Sequence, residues 1–475
     1  MNPKVSIVWF RNDLRLHDNE AIYEASIASD KIIPVYVFDP RVFSAKTNFG
    51  FAKTGKFRAR FILESIADLK KSLQSKGSDL IVRVGKPEEE LMKIVKDTKA
   101  SWIFCNRERT QEEVNVQDAL EKSMWSFGRE LRYSRGKMLY YTADLPFPVT
   151  HTPDTFTTFR KEVEKFIPIR KPFEVADSIY NELDFIEDLG TVPTLEDFGH
   201  EDFKIEKGIS LKGGESEALR QLDYYFDDKK LASSYKKTRN ELLGRDYSTK
   251  FSAWLSQGCL SPKMIYARLK EYENKYGSND STYWIFFELL WRDYFRLIGK
   301  KYLNQIFKRE GILGDDPGGI EDRDIFNLWA SGKTGIPFID ANMIELATTG
   351  FMSNRGRQNV ASFLVKDLGI NWLMGAEYFE SLLIDYDPCS NYGNWNYIAG
   401  VGCDPRDNRY FNILSQSKKY DPKGAYIKYW IPALENLPDN YVHSPDQMDV
   451  SQCQTYNFNI QNDYVPSVVS SEKWA

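Results

Sequence analysis

Val5-Ser6-Ile7-Val8-Trp9-Phe10-Arg11-Asn12-Asp13 begins as a short run of β-branched and aromatic residues and stops at three polar ones. So short and continuous a run reads as a strand buried on both faces. Working outward, residues 32–38, 80–84 and 102–105 repeat the pattern. Between them, 18–28, 56–75, 87–97 and 111–125 carry helical spacing, with Asp18 placed as a cap and Pro87 in a first turn after Gly85. Strand–helix alternation predicts an α/β domain, a parallel sheet covered on both faces. The turn after the first strand, Phe10-Arg11-Asn12-Asp13, lacks the glycines of the GxGxxG dinucleotide fingerprint. The sheet is therefore Rossmann-like without the Rossmann ligand signature.

The character changes at residue 136. Prolines at 146, 148, 153, 168, 172 and 193 interrupt the next stretch, and acidic residues dominate 174–202. Residues 136–208 read as an inter-domain connector with one helix at 155–166. From Glu215 onward helical periodicity takes over; Ala361, Leu364, Val365 and Leu368 fall at i, i+3, i+4 and i+7. The expected organisation is an α/β domain over 1–135, the connector, and an all-α domain over 209–475.

Composition removes several classes. The 475 residues are 42% hydrophobic and 28% charged, enough to build a core. No apolar run approaches the roughly 20 residues of a membrane helix. Five cysteines without a CxxC pair argue against zinc and against a disulfide framework. Residues 5–10 are too short for a secretory core, so a cytoplasmic protein is expected. The net charge of −5 means that any nucleic-acid binding must come from a local patch. Only four histidines exist, none within 235–420, which disfavours Ser-His-Asp chemistry and His-ligated metal. Ser331-Gly332-Lys333-Thr334 imitates the end of a phosphate loop, but Asn327 stands where its first glycine belongs. Asp385-Tyr386-Asp387 starts like a calcium loop, but Pro388 and Cys389 spoil it. No metal is expected.

Four segments of the second half place polar and aromatic residues where a plain helical core would not. Tyr235–Arg239 is followed by Asp246-Tyr247-Ser248-Thr249-Lys250-Phe251-Ser252, hydroxyls and a cation just ahead of a helix. That suits a pyrophosphate, and ordinary N-capping suits it equally. Glu288, Trp291, Arg292 and Phe295 share one helical face, so the acid and the arginine mark a buried ion pair or a site. Phe351-Met352-Ser353-Asn354-Arg355-Gly356-Arg357-Gln358 sets two arginines about a glycine, with Asn354 a candidate cap. Asp385-Tyr386-Asp387-Pro388-Cys389-Ser390-Asn391-Tyr392-Gly393-Asn394-Trp395-Asn396-Tyr397 is rich in donors and acceptors.

At these segments, and at Trp9–Asn19, the sequence resembles the DNA photolyase/cryptochrome family, most closely its cryptochrome-DASH branch. The resemblance implies FAD in the helical domain. Ser248, Thr249, Lys250, Phe251 and Ser252 would cradle its diphosphate, with Tyr235 nearby. Arg357 and Asp385 would flank the isoalloxazine, Asp387 would hydrogen-bond it, and Asn391 would face N5. Trp284, Glu288, Arg292, Phe295 and Asn354 complete the implied contacts. Trp395 and Trp372 match the proximal and middle members of the family's photoreduction chain. Gly319 occupies the distal position, which leaves the surface exit of the relay open: photoreduction is expected to be slow unless another ring, such as Tyr283 or Tyr378, substitutes. Glu108 matches a folate-contacting acid, so methenyltetrahydrofolate is the implied antenna.

The implied activity is blue-light repair of cyclobutane pyrimidine dimers, with a blue-light photoreceptor of little repair activity as the alternative. Glu288 would hydrogen-bond the dimer and Trp291 would stack on it. Tyr397 and Gln358 stand where many photolyases have Trp and Met, a DASH feature associated with single-stranded DNA. Arg239, Arg292, Arg355 and Arg409 are candidate phosphate contacts, and Gln416 a neutral one. The partner implied is DNA, single-stranded or loop-containing, with no membrane, and the protein is expected to be a monomer.

Overall fold

The computed structural model describes residues 3–175, 179, 183, 186, 188–403, 410–459 and 462–474. Its first third is a parallel sheet of β1 (Val5–Phe10), β2 (Lys31–Phe38), β3 (Ile81–Val84), β4 (Trp102–Asn106) and β5 (Glu130–Ser134), in the order β3-β2-β1-β4-β5. β1 is central, with Trp9 opposite Val35 of β2 and Ile7 opposite Ile103 of β4. Helices Glu20–Ala28, Lys56–Ser75, Pro87–Thr98 and Gln111–Ser126 make the crossovers.

The four expected strands and four expected helices form within a residue or two of their expected bounds. β5 was not foreseen. Its sequence, Glu-Leu-Arg-Tyr-Ser, is half polar because an edge strand has one neighbour and need not be apolar. Asp18 does not cap the first helix; Asn19 does, accepting from the Ile22 N–H. Asp18 is instead drawn into an ion pair with Lys263 at 2.7 Å, in a left-handed conformation at φ +46°.

That pair belongs to the seam between sheet and helices. Arg15 is buried and spends its guanidinium on the carbonyls of His17, Asp18, Gly136 and Gly258. His17 Nδ1 meets Glu215 at 2.5 Å. Gly258 has to be glycine, since a Cβ there would lie 2.1 Å from the Asn12 carbonyl oxygen. Parts of the connector pack along the same seam. Leu139 and Tyr140 donate their N–H groups to Asp293 at 3.1 and 2.9 Å, and helix Phe156–Phe166 lies against Trp291 and Tyr294.

The helical half turns on the long helix Asp280–Tyr302, started by a capping box at Asn279 and Thr282. Its buried face carries Leu289, Asp293 and Arg296 at i, i+4 and i+7. Residues 361–368 do not hold one α-helical stripe. Helix Asn354–Ser362 passes into a π-turn over Phe363–Asp367, which buries Leu364 but leaves Val365 and Leu368 half-exposed.

Candidate functional site

Helices Asn354–Ser362, Trp372–Leu382 and Pro388–Ala399 enclose a cavity of about 640 Å³, its open mouth included. Asn354, Arg357, Gln358, Asp385, Asp387, Asn391 and Trp395 all line it. Ser353, rather than Asn354, caps the first of these helices, accepting from the Gly356 N–H at 2.9 Å. A Cβ on Gly356 would strike Asn342 Oδ1 at 1.9 Å, which accounts for the glycine between the two arginines.

Arg357 donates to Asp385 Oδ2 at 2.8 Å, and Asp385 Oδ1 is buried with no partner among the described residues. A buried carboxylate oxygen left unpaired calls for a donor. Asp387 caps helix Pro388–Ala399 through the Ser390 N–H and takes Arg296 at 3.0 Å on its other oxygen. Burial pushes its carboxyl up, but Arg296 and Arg292 outweigh that and hold it below the usual range. Asn391 donates its amide to the Ala376 carbonyl at 3.0 Å, which fixes the side chain in the wall. The Trp395 ring packs edge-on to Phe379 at 5.2 Å and over Gly375.

The Ser/Thr/Lys loop adjoins this cavity through Phe351, whose ring lies 5.3 Å from Lys250 Nζ and 5.6 Å from the Arg357 guanidinium. Lys250 is buried, its φ is +57°, and burial pushes its pKa well down. Its Nζ donates to Ser248 Oγ at 3.0 Å. The helix that follows, Ser252–Gln257, has Phe251 at its cap position and no side-chain cap, so Ser248 and Thr249 are not ordinary N-caps.

A third group lies on helix Asp280–Tyr302. Glu288 pairs with Arg239, whose guanidinium stands 5.7 Å from the Trp284 ring and 5.9 Å from Tyr235. Burial pushes the Glu288 carboxyl up against the pull of Arg239. Trp291 stacks on Phe156 at 3.7 Å, with Phe295 and Tyr397 beside it. Arg355 bonds Gln358 and Asn240 and lies over Tyr420. Gln416 Oε1 is buried without a partner among the described residues. Arg292 turns to the seam, donating to the carbonyls of Lys137 and Leu255. Arg409 lies outside the described residues.

Glu108 sits just past the C-terminal end of β4, beside the point where the strand order reverses around β1, the usual ligand edge of a parallel sheet. It is buried and paired with Lys137 and with Arg296, the latter at 3.4 Å. Burial alone would raise its carboxyl; Lys137, Arg11 and Arg296 bring it to about 2. Arg296 thus joins Glu108 to Asp387 across the seam. Lys137, Asp293 and Arg296 were not singled out from sequence. The 289–293–296 spacing, one residue off the face read from Glu288, is the signal that could have found Asp293 and Arg296; nothing local marks Lys137.

Among the described residues no cluster of three His, Cys, Asp or Glu side chains could hold a metal ion, and no helix is long and apolar enough to cross a membrane. A family model described as DNA photolyase matches residues 6–176, and one described as the FAD binding domain of DNA photolyase matches 284–475. The chain is 48% identical over 471 residues to a cryptochrome DASH of Gloeobacter violaceus, covering 99% of this chain and 94% of that one. It is 45% identical to a cryptochrome DASH of Xenopus laevis, covering 99% and 91%. Among solved structures, a cryptochrome of Synechocystis sp. superposes with a TM-score of 0.96 at 46% identity, covering 99% of this chain and 98% of that one.

Proposed function

Because the chain belongs to the DNA photolyase/cryptochrome family, on its cryptochrome DASH branch, we propose that it is a blue-light-dependent flavoprotein repairing cyclobutane pyrimidine dimers, preferentially in single-stranded DNA. The observation that carries the reading is the unpaired Asp385 Oδ1 in a cavity walled by Trp395. A carboxylate anchored by Arg357 with a second oxygen to offer suits a ring N–H, and an indole beside it suits electron supply.

The residues present fit FAD. Arg357, Asp385, Asp387 and Asn391 would hold its ring system, and Ser248, Thr249, Lys250 and Ser252 its diphosphate. Bound and reduced, FAD supplies the light-driven electron that opens the cyclobutane ring. Glu288 hydrogen-bonds the dimer, with its partner Arg239 beside it to meet a neighbouring phosphate. Phe156 covers one face of Trp291 and braces it, so that the indole can stack on a base. Extruding a base from a duplex costs a few kcal/mol, against roughly 1–3 kcal/mol returned by stacking, which favours single strands. Glu108, held as an anion by Lys137 and Arg296, offers an acceptor to a folate antenna at the seam.

Repair under blue light, compared on single-stranded and duplex dimers, tests the reading. Faster repair of single strands is expected, dependent on Glu288. Photoreduction with no repair of either substrate would overturn the repair assignment and leave a light sensor.

A further inference from the structure

With Gly319 in place of an outer tryptophan, the fate of an oxidised Trp372 depends on its neighbours. Its indole N–H donates to the Arg309 carbonyl at 3.0 Å, and its ring meets Tyr392 nearly edge-on, centroids 6.2 Å apart. Tyr392 in turn donates its hydroxyl to Glu380 Oε2 at 3.2 Å, and both side chains are buried. Tyr386 stands close to Glu380, and Arg58 lies 4.7 Å above the Tyr386 ring. The two rings suggested by sequence stand elsewhere. Tyr283 is engaged with Arg160 and Glu164 beside helix Phe156–Phe166. Tyr378 packs on Trp329 and donates to the Ala330 carbonyl, which cannot take a proton.

We infer that Tyr392 and Glu380 form the terminus of the oxidising relay, Tyr392 as electron donor and Glu380 as proton acceptor. This rests on the flavin reading, with excited oxidised flavin as the one-electron oxidant at the head of the chain. Trp372, having lost one electron toward Trp395, takes one from Tyr392. The phenolic O–H bond breaks and its proton passes along the existing hydrogen bond to Glu380 Oε2. The products are a neutral indole, a neutral tyrosyl radical and a neutral carboxylic acid. A phenol that kept its proton would become a cation in a buried site, and desolvation opposes that. Burial, which raises the affinity of Glu380 for a proton, supports the acceptor role against the opposing pull of Arg58.

Time-resolved electron paramagnetic resonance on the flavin-loaded protein, with ring-deuterated tyrosine to identify the radical, tests this. The wild type should give a tyrosyl signal that forms more slowly in D₂O. Tyr392→Phe should lose it and leave a tryptophan radical; Glu380→Gln should lose it with the ring still present; Tyr378→Phe should keep it. A tyrosyl signal surviving in Tyr392→Phe, or a flavin-loaded wild type showing only tryptophan radicals, overturns the inference alone. A protein that takes up no flavin overturns the reading beneath it as well.

Discussion

Arg357 holds Asp385 by one oxygen, Nη2 to Oδ2 at 2.8 Å, and leaves the other buried without a partner among the described residues. The apoprotein carries that penalty, and a ligand N–H relieves it. Asp385→Asn keeps the shape and removes the charge. Flavin affinity should fall roughly 10- to 100-fold, the equivalent of about 1.5–3 kcal/mol for a hydrogen bond to a charged group. The flavin-free variant should be no less stable than wild type. Fluorescence titration with FAD measures the first and urea denaturation the second; unchanged affinity would remove Asp385 from the site.

Gly375 lies under Trp395. A Cβ there would come within 2.3 Å of the indole Cη2 and 2.6 Å of Leu364 Cδ2. In an exposed helix, Gly→Ala gains up to about 1 kcal/mol. Here Gly375→Ala should instead destabilise by about 1–3 kcal/mol, the cost of overpacking, and displace the ring nearest the cavity. The sign of the shift in the urea midpoint decides between the two.

The sheet was legible because buried parallel strands announce themselves as apolar runs, and β1, β2, β3 and β4 all did. β5 escaped because it is an edge strand whose residues are mostly polar and only partly buried, whereas the other edge, β3, is covered where the Val82 N–H donates to the Leu189 carbonyl. In the site, polar residues on helix starts were conspicuous, and the cavity does gather Asn354, Arg357, Asp385, Asn391 and Trp395. The seam was not legible. Asp293 and Arg296 acquire meaning only when Tyr140, Glu108 and Asp387 arrive from distant segments. Sequence spacing shows which residues share a helix face, not what the face will meet. Arg292 illustrates this, for its two guanidinium nitrogens Nη1 and Nη2 are turned to the carbonyls of residues 137 and 255.

Asp293 gives the seam a pH dependence. Burial raises its carboxyl to about 6 from an ordinary 3.8, despite the N–H groups of Tyr140 and Leu139 and the nearby Arg292. The native state then binds more protons than the unfolded chain between those values, so this contribution to stability falls as pH rises through the window. Ionised above pH 6, Asp293 costs folding about 3 kcal/mol relative to its protonated form. Asp293→Asn should lower stability at acid pH but flatten the decline between about pH 4 and pH 6. Urea midpoints across that range give the slope; the same slope in both proteins would clear Asp293.

Salt should weaken DNA binding, since any phosphate contact releases counterions. Among the described residues Arg239 is half-buried and its guanidinium hydrogen-bonds Glu288 alone, whereas Arg292 donates to two backbone carbonyls. Arg239→Gln should reduce the log–log salt slope by about 1, while Arg292→Gln should leave the slope as it is and cost stability. Equal changes in slope for the two variants would contradict the assignment of Arg239 to phosphate.

Restoring a tryptophan at the outer relay position should fail. Gly319 has φ +95°, a conformation that costs a side-chain-bearing residue about 1–3 kcal/mol. Its Cβ would stand 3.0 Å from the Asn371 nitrogen and 3.1 Å from the Ile370 carbonyl oxygen, so the neighbours that must give way are backbone. They belong to the bridge between Ile320 and Ile370, and Asn371 is the cap of the helix that begins with Trp372. A Gly319→Trp side chain would therefore disturb the indole it is meant to serve. The variant should melt below wild type and photoreduce no faster. On the repair reading proposed above, Trp395→Phe should stop photoreduction nearly completely yet leave dimer repair by chemically reduced enzyme intact, because in that reading the ring-opening electron passes between flavin and substrate without entering the protein chain. Faster photoreduction by Gly319→Trp at an unchanged melting temperature would show that the backbone at 319 yields, and that the outer position alone limits the relay.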